Sequence, residues 1–113
     1  MDPIAAAAKE REVALTTTGR KSGKPRRVTI WITSDGDHIY IRSGQGMARD
    51  WPQNLLANHE ATLRLGGESI KVRARHVTDP GEAHATSGLV REKYGTRTTS
   101  AKAEEAVFEL IPT

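Results

Sequence analysis

Val13-Ala-Leu-Thr-Thr-Thr-Gly-Arg-Lys-Ser-Gly-Lys-Pro-Arg-Arg-Val-Thr-Ile-Trp-Ile-Thr33 is a strand, a basic bend and a second strand. Val13–Thr18 is β-prone. In Val28–Thr33 the residues Val28, Ile30 and Ile32 alternate with Thr29, Trp31 and Thr33, the period of two of a half-buried strand. Together the two runs predict an antiparallel hairpin. Its loop, Gly19 to Pro25, sets the proline ahead of strand hydrogen bonding and puts Gly19 and Gly23 where positive φ would be needed. The bend carries Arg20, Lys21, Lys24, Arg26 and Arg27, and no acid occurs between Glu12 and Asp35. The positive field there is locally uncompensated, and the small residues Gly19, Ser22 and Gly23 let backbone N–H groups approach a guest closely. A phosphate or polycarboxylate is the natural guest at this strand end.

Working outward, Ser34-Asp-Gly-Asp37 reads as a turn, and His38–Ser43 follows as a strand with Ile39 and Ile41 inward and Tyr40 and Arg42 outward. After the glycine-bearing stretch Gly44–Arg49, Asp50 is positioned to cap a short helix, Trp51–Ala57, with Trp51 and Leu55 on one face. Ala61–Leu65 and Glu68–Val77 flank Gly66-Gly67 as a tight hairpin. Asp79-Pro80-Gly81-Glu82 supplies a cap, an N1 proline and an N3 carboxylate for a helix whose apolar stripe is Leu89, Val90 and Tyr94, ended by Gly95. A polar linker at 96–100 and a closing strand, Ala106–Ile111, complete the chain. At the other end, Asp2 and Pro3 open a short helix over Ile4–Ala8. Six short antiparallel strands with two to three short helices predict a mainly β fold, a small barrel that hides its edges. Residues 1–12 form an N-terminal helical segment ahead of one domain at 13–113.

Bulk properties bound the possibilities. A chain of 113 residues is one domain, small enough to profit from a second copy of itself. The net charge of +3 is small and partly explained by the one bend, so it points to a local site rather than a coated surface. With no cysteine, disulfides, thiolate metal sites and cysteine catalysis are excluded, and a reducing cytoplasm is the expected setting. A mean hydropathy of −0.56 leaves no room for a membrane-spanning helix, and the N-terminus has no basic leader of the secretory kind.

Several catalytic patterns fail. Gly19-Arg-Lys-Ser-Gly23-Lys24-Pro25 is one residue short of a P-loop between its glycines and has proline where a hydroxyl must bind magnesium. Gly44-Gln-Gly46 lacks the third glycine and the βαβ setting of a dinucleotide fingerprint. His38, His59, His76 and His84 have no metal-ligand spacing, so no metal is expected, and Ser43 lacks the glycine of a nucleophile elbow. Tyr40 and Tyr94 read first as packing residues. Trp51 could equally anchor its helix or stack on a ligand.

The block Leu15–Arg27, with Asp35-Gly-Asp37, Ser43 and its glycine loop, Trp51, Asn54-Leu-Leu-Ala-Asn58 and Val107–Pro112, resembles the deazaflavin-dependent nitroreductase and quinone reductase family. The resemblance implies a split β-barrel like that of pyridoxamine-phosphate-oxidase-like flavoproteins, normally a homodimer. It implies coenzyme F420, whose tail carries a phosphodiester and glutamates, as cofactor. By position, Arg20, Lys21, Ser22, Gly23, Lys24 and Arg26 would hold that tail, Ser43, Gly44, Gln45 and Gly46 would meet the phosphate or ring, and Trp51 and Asn54 would shape the ring pocket. Hydride would pass to a small-molecule acceptor, a quinone, nitroaromatic or activated alkene. Tyr40, Tyr94, Ser43 or water would donate any proton. FMN, haem or a fatty acid in the same fold remains an alternative. A nucleic-acid-binding module is the other, disfavoured by the 4% aromatic content and the lack of a stacking platform.

Overall fold

The hairpin forms as its punctuation predicts. In the computed structural model, which describes residues 2–95 and 101–113, β1 (Glu12–Thr18) pairs with β2 (Pro25–Trp31) from Glu12↔Trp31 to Thr18↔Pro25. Pro25 thus opens the strand instead of lying in the loop, which costs nothing at an edge that needs no further N–H. The linker expected at 96–100 lies outside the described residues.

The second strand departs from the expectation. The run Val28–Thr33 breaks at Ile32, and Thr33–Ser34 becomes a separate short strand, β3, paired with β4 (Ile39–Arg42). Ile32 leaves the ladder because its backbone is satisfied from elsewhere. Its N–H donates to the Tyr94 hydroxyl at 3.0 Å, and its carbonyl accepts from Lys93 Nζ at 2.7 Å. Thr33, expected outward, is buried. The strand count is accordingly seven, not six.

After β4 come a 3-10 turn (Gly46–Ala48), α2 (Asp50–Ala57), β5 (Glu60–Leu65), β6 (Glu68–His76), α3 (Pro80–Tyr94), α4 (Ala101–Glu105) and β7 (Val107–Pro112). With α1 (Pro3–Lys9) the described residues hold four α-helices, more than the two to three expected, because residues 101–105 form a helical turn. The cap signals are accurate at both long-range ends: Asp2 accepts from the Ile4 N–H at 3.0 Å, Asp79 accepts from the Glu82 N–H at 2.8 Å, and Gly95 closes α3 with a φ of 71°. Gly66 and Gly67, with φ of 59° and 79°, make the β5–β6 turn that only positive φ allows.

All strand pairs are antiparallel, and the sheet order is β2-β1-β5-β6-β7-β4-β3. The two edge strands are consecutive in the chain, joined through Ile32 alone. The sheet must therefore curl until its edges meet at that residue, and they part beyond it because β3 is only two residues long. A barrel with one open slit results. Leu15, Leu63, Leu65, Val72, Phe108 and Leu110 fill the interior, closed by Ala7 of α1 and by Trp51 and Leu55 of α2. A second apolar layer, Tyr40, Val77, Ala83 and Val107, lies under α3 on the outside of the barrel. Tyr40 is outward from the barrel as expected, yet only 4% exposed, because α3 covers it. The buried face of α3 is Ala83, Thr86, Ser87 and Val90, more polar than the expected stripe, with Leu89 packed at its margin and Tyr94 at its end.

Candidate functional site: a two-part cleft in the barrel slit

The basic bend is held by its own backbone. The Gly19 N–H donates to the Lys24 carbonyl at 2.8 Å, the Gly23 N–H donates to the Gly19 carbonyl at 2.8 Å, and the Lys24 N–H donates to Ser22 Oγ at 3.2 Å. Only Gly23 has positive φ, at 70°. Gly19 is required for a different reason than expected: a Cβ there would stand 2.7 Å from Ser22 Oγ and 3.2 Å from the Lys24 carbonyl oxygen. The glycine permits a close approach within the bend itself.

The N-terminal end of α2 fixes the bend in space. Asn54 Oδ1 accepts from the Arg20 N–H at 3.1 Å and from Arg20 Nη1 at 3.0 Å, and Asn54 Nδ2 donates to Thr17 Oγ1 at 3.2 Å. Arg20 Nη1 also lies 3.4 Å from the Asp50 carboxylate. Two expectations change here. Asp50 is the first helical residue with Arg49 at the cap position, so its carboxylate serves the helix dipole and Arg20 rather than capping. The bend's field is also partly compensated, by an acid thirty residues away. Lys21, Lys24, Arg26 and Arg27 have no ion pair among the described residues.

Two clefts adjoin along the slit, sharing Val28, Arg49 and Trp51. One, of about 470 Å³, is lined by Arg20, Lys21, Ser22, Arg26, Arg27 and Arg49, with Asp50 its one acid. The other, of about 660 Å³, runs between the outer edge of β2 and β3–β4, and is lined by Trp31, Arg42, Ser43, Gly44, Gln45 and Val90 among others. Ser43 is buried, its N–H donating to the Ala106 carbonyl at 3.1 Å, and the Gly46 N–H turns back to the Ser43 carbonyl at 2.9 Å.

The structure brings together most, though not all, of the residues singled out by sequence. Arg20, Lys21, Ser22, Arg26 and Asn54 share the cationic cleft; Ser43, Gly44 and Gln45 share the other; Trp51 stands at their junction. Gly23 and Lys24 form the tip of the bend and do not line either cleft, and Gly23 borders a separate groove with Pro25 and Lys71. Gly46 sits beneath α4, where a Cβ would lie 2.9 Å from the Lys102 carbonyl oxygen.

Both tyrosines are committed to internal partners. Tyr40 donates to Glu82 Oε2 at 2.7 Å, and burial together with that carboxylate pushes its phenol well above the usual range. Glu82, held low by the Tyr40 hydroxyl and by Arg75, in turn links to an Arg75–Glu109 pair at 2.8 Å. The Tyr94 hydroxyl stands 2.6 Å from the Arg11 carbonyl and 2.9 Å from that of Ile32. Its ring stacks on Trp31 with centroids 4.1 Å apart and planes 4° from parallel.

Sequence reasoning passed over three cleft residues: Trp31, Arg42 and Arg49. Trp31 was visible as the one aromatic on the outward face of an alternating strand. Arg42 and Arg49 gave no local signal.

The fold and this slit define a split β-barrel of the pyridoxamine-phosphate-oxidase-like type, with a cationic cleft and an adjoining cleft of mixed lining. The chain belongs to the family described as "Uncharacterized protein conserved in bacteria (DUF2255)", which it matches over residues 3–109. It is 31% identical over 91 residues to an F420H(2)-dependent quinone reductase of Mycobacterium tuberculosis strain H37Rv, covering 76% of this chain and 60% of that one. The chain thus spans about 60% of the length of such curated relatives. Among solved structures, a Listeria innocua protein assigned to the pyridoxamine 5'-phosphate oxidases superposes with a TM-score of 0.73 at 15% identity, covering 96% of this chain and 88% of that one. An F420-H2 dependent reductase (FDR-A) superposes at 0.65 with 24% identity, covering 89% and 94%. The resemblance drawn from the basic bend and the blocks after it is to this same group of proteins.

Proposed function

We propose that this chain binds coenzyme F420 along the slit and reduces a small quinone-class acceptor, with nitroaromatics and activated alkenes as further acceptors of the same reactivity. One observation carries the reading: a cluster of five cations, opposed by a single carboxylate, runs directly into a cleft flanked by two tryptophans, with Val28, Arg49 and Trp51 common to both halves. A coenzyme with a flat ring and a long anionic tail has that distribution of charge. The curated relatives' printed activity supports the same choice.

The donor set fits the tail. Lys21, Arg26, Arg27 and Arg49 present charge, Ser22 presents a hydroxyl, and Arg20 is already oriented by Asn54 and Asp50, so little ordering is left to be done on binding. Gly23 and Lys24 shape the bend without facing the cleft. Ser43, Gly44 and Gln45 form the wall against which ring or phosphate would lie, and Trp51 separates the halves. When bound and reduced, the deazaflavin supplies the hydride. The protein's part is to position the reactants and set the local field. With the hydroxyls of Tyr40 and Tyr94 both bound to internal acceptors, the proton comes from Ser43 or from water in the open slit. A second copy of the chain, packing beside the slit and leaving Trp31 open to it, belongs to the same reading, since one small domain profits from a partner.

Side-by-side titrations with F420 and with FMN test the cofactor, and anaerobic mixing of the reduced bound coenzyme with menadione tests the reaction. Micromolar or tighter F420 binding, weaker FMN binding and loss of the reduced-coenzyme signal on mixing are expected. Equal or tighter FMN binding, or a stable reduced coenzyme in the presence of menadione, would overturn the proposal.

A further inference from the structure

The geometry points to Arg42 as the residue that receives the acceptor, holding the oxygen on which negative charge appears as hydride arrives; this rests on the reading of the slit as a reductase site. Arg42 is the last residue of β4 and lines the ring cleft alongside Trp31 and Ser43. Only its Nη1 is occupied, donating to Thr86 Oγ1 at 3.1 Å and to Ser87 Oγ at 2.7 Å. Nη2 and Nε have no partner among the described residues, and no buried polar side-chain atom lacks one, so these donors open on the cleft. A guanidinium pinned by one nitrogen and free at the others is aimed, with its entropy already lost.

The pinning is itself supported. The Ser87 hydroxyl donates to Glu104 Oε2 at 2.7 Å, and His84 Nδ1 lies 3.1 Å from the same carboxylate. That chain runs from α3 to α4 and leaves the Ser87 oxygen to accept from Arg42, while the Thr86 hydroxyl donates to the Ala83 carbonyl at 2.6 Å and leaves its oxygen to do the same. Burial lowers the Arg42 pKa from its ordinary value, the Glu104 charge opposes that shift and Arg91 adds to it. Among the described residues no carboxylate forms an ion pair with the guanidinium, so its charge is available to a guest. Across the cleft, Trp31 has one face covered by Tyr94 and is still half exposed, which leaves the other face for a flat aromatic.

The step balances as a two-electron reduction. The C–H bond of the reduced coenzyme breaks and its electron pair forms an O–H bond at one quinone carbonyl, the ring π electrons shift so that the pair of the opposite C=O moves onto its oxygen, and Arg42 hydrogen-bonds that oxyanion until a solvent proton neutralises it. Two electrons pass from the reduced coenzyme to the acceptor. The class of acceptor follows: a planar ring with an oxygen at its edge that becomes anionic, a quinone rather than an isolated alkene.

The test uses 4-nitrophenol, whose phenolate is coloured and which is not reduced in the absence of coenzyme. Titrated into the apo-protein near the phenol's own pKa, it is expected to bind as phenolate, shifting its absorbance. R42M abolishes the shift and R42K keeps part of it. With F420, R42M and R42K are expected to bind the coenzyme within about threefold of native, while menadione turnover by R42M falls roughly ten- to a hundredfold, the worth of one charge-assisted hydrogen bond. Circular dichroism of R42M checks that it folds, and R42K, which retains a cation, keeps the test decisive if R42M does not. Native-like turnover in R42M, or an equal nitrophenolate shift in native and R42M, overturns the assignment. Failure of native protein to bind F420 defeats the reductase reading instead, and the nitrophenol arm still decides whether Arg42 is an oxyanion site.

Discussion

Asn54 is the residue whose loss separates a held bend from a merely basic one. Its side chain is 2% exposed and makes three hydrogen bonds: it accepts from the backbone and the guanidinium of Arg20 and donates to Thr17, itself 2% exposed. In N54A the Arg20 groups, being exposed, recover water, so each of those two bonds costs only about 0.5–1 kcal/mol. Thr17 Oγ1 has no other partner among the described residues and is buried, which adds about 1–3 kcal/mol. The sum is roughly 2–5 kcal/mol, or a fall in Tm of about 8–20 °C for a domain of this size. N54D retains the acceptor for Arg20 and lets the Thr17 hydroxyl reverse and donate, so it should lose less than about half as much. Urea denaturation of the three proteins measures this directly, and F420 titration should show N54A binding at least tenfold more weakly, since the bend is no longer preorganised. If N54A loses under about 0.5 kcal/mol, or N54D is as unstable as N54A, the bonding to the bend does not stabilise it and the reasoning is wrong.

Three further outcomes are expected. K21E/R26E removes two cations that have no internal acid partner and should weaken F420 binding by more than a hundredfold with little change in Tm; native-like affinity by fluorescence titration would refute a role in the tail site. G19A forces its Cβ against the Lys24 carbonyl, which is backbone and cannot rotate aside, so it should cost about 1–2 kcal/mol in urea and broaden the amide signals of residues 19–24; unchanged stability would show the bend is looser than described. Glu82 is held below its ordinary value of 4.5 by Tyr40 and Arg75, so its contribution is present above that pH and is lost as pH falls through the lowered pKa. E82Q should accordingly be less stable than native at pH 6 and lose less between pH 4.5 and 3 in paired urea titrations; parallel curves would refute it.

Local signals served where local physics decides. The β1–β2 and β5–β6 hairpins were readable because alternation and glycine turns need only neighbouring residues, and the Asp2 and Asp79 caps for the same reason. What escaped depends on partners far along the chain. Ile32 leaves the ladder because Lys93 and Tyr94, 61 and 62 residues away, take its carbonyl and N–H. Tyr40 is buried because α3 lies over it, and Arg20 is partly compensated because α2 brings Asp50 beside it. In the site, the cations of the bend were legible as composition. Arg42 and Arg49 were not, since one arginine at a strand end and another before a helix look like ordinary surface charge until the edges of the sheet are known.

The missed strand break and the missed cleft residues are one feature seen twice. Had Ile32 stayed in register, β2 would have run on through Thr33 and Ser34 along the same edge, and the opposite edge would have ended at β4 with nothing to draw it near. Instead the chain crosses at a single residue, bringing the Trp31 end of β2 close to Arg42 of β4 and to Ser43 just beyond it without a ladder between the two edges. Lys93 Nζ, which also reaches the carbonyls of Ala7 and Glu10, and Tyr94, stacked on Trp31, hold that crossing from outside the sheet. The backbone groups that would have closed the barrel are satisfied by side chains of α3 at the crossing and left open along the slit, so the sheet is prevented from sealing where the proposed coenzyme would enter. A fully closed barrel of the same residues would bury the same core and have nowhere to place a flat ring beside a cationic bend.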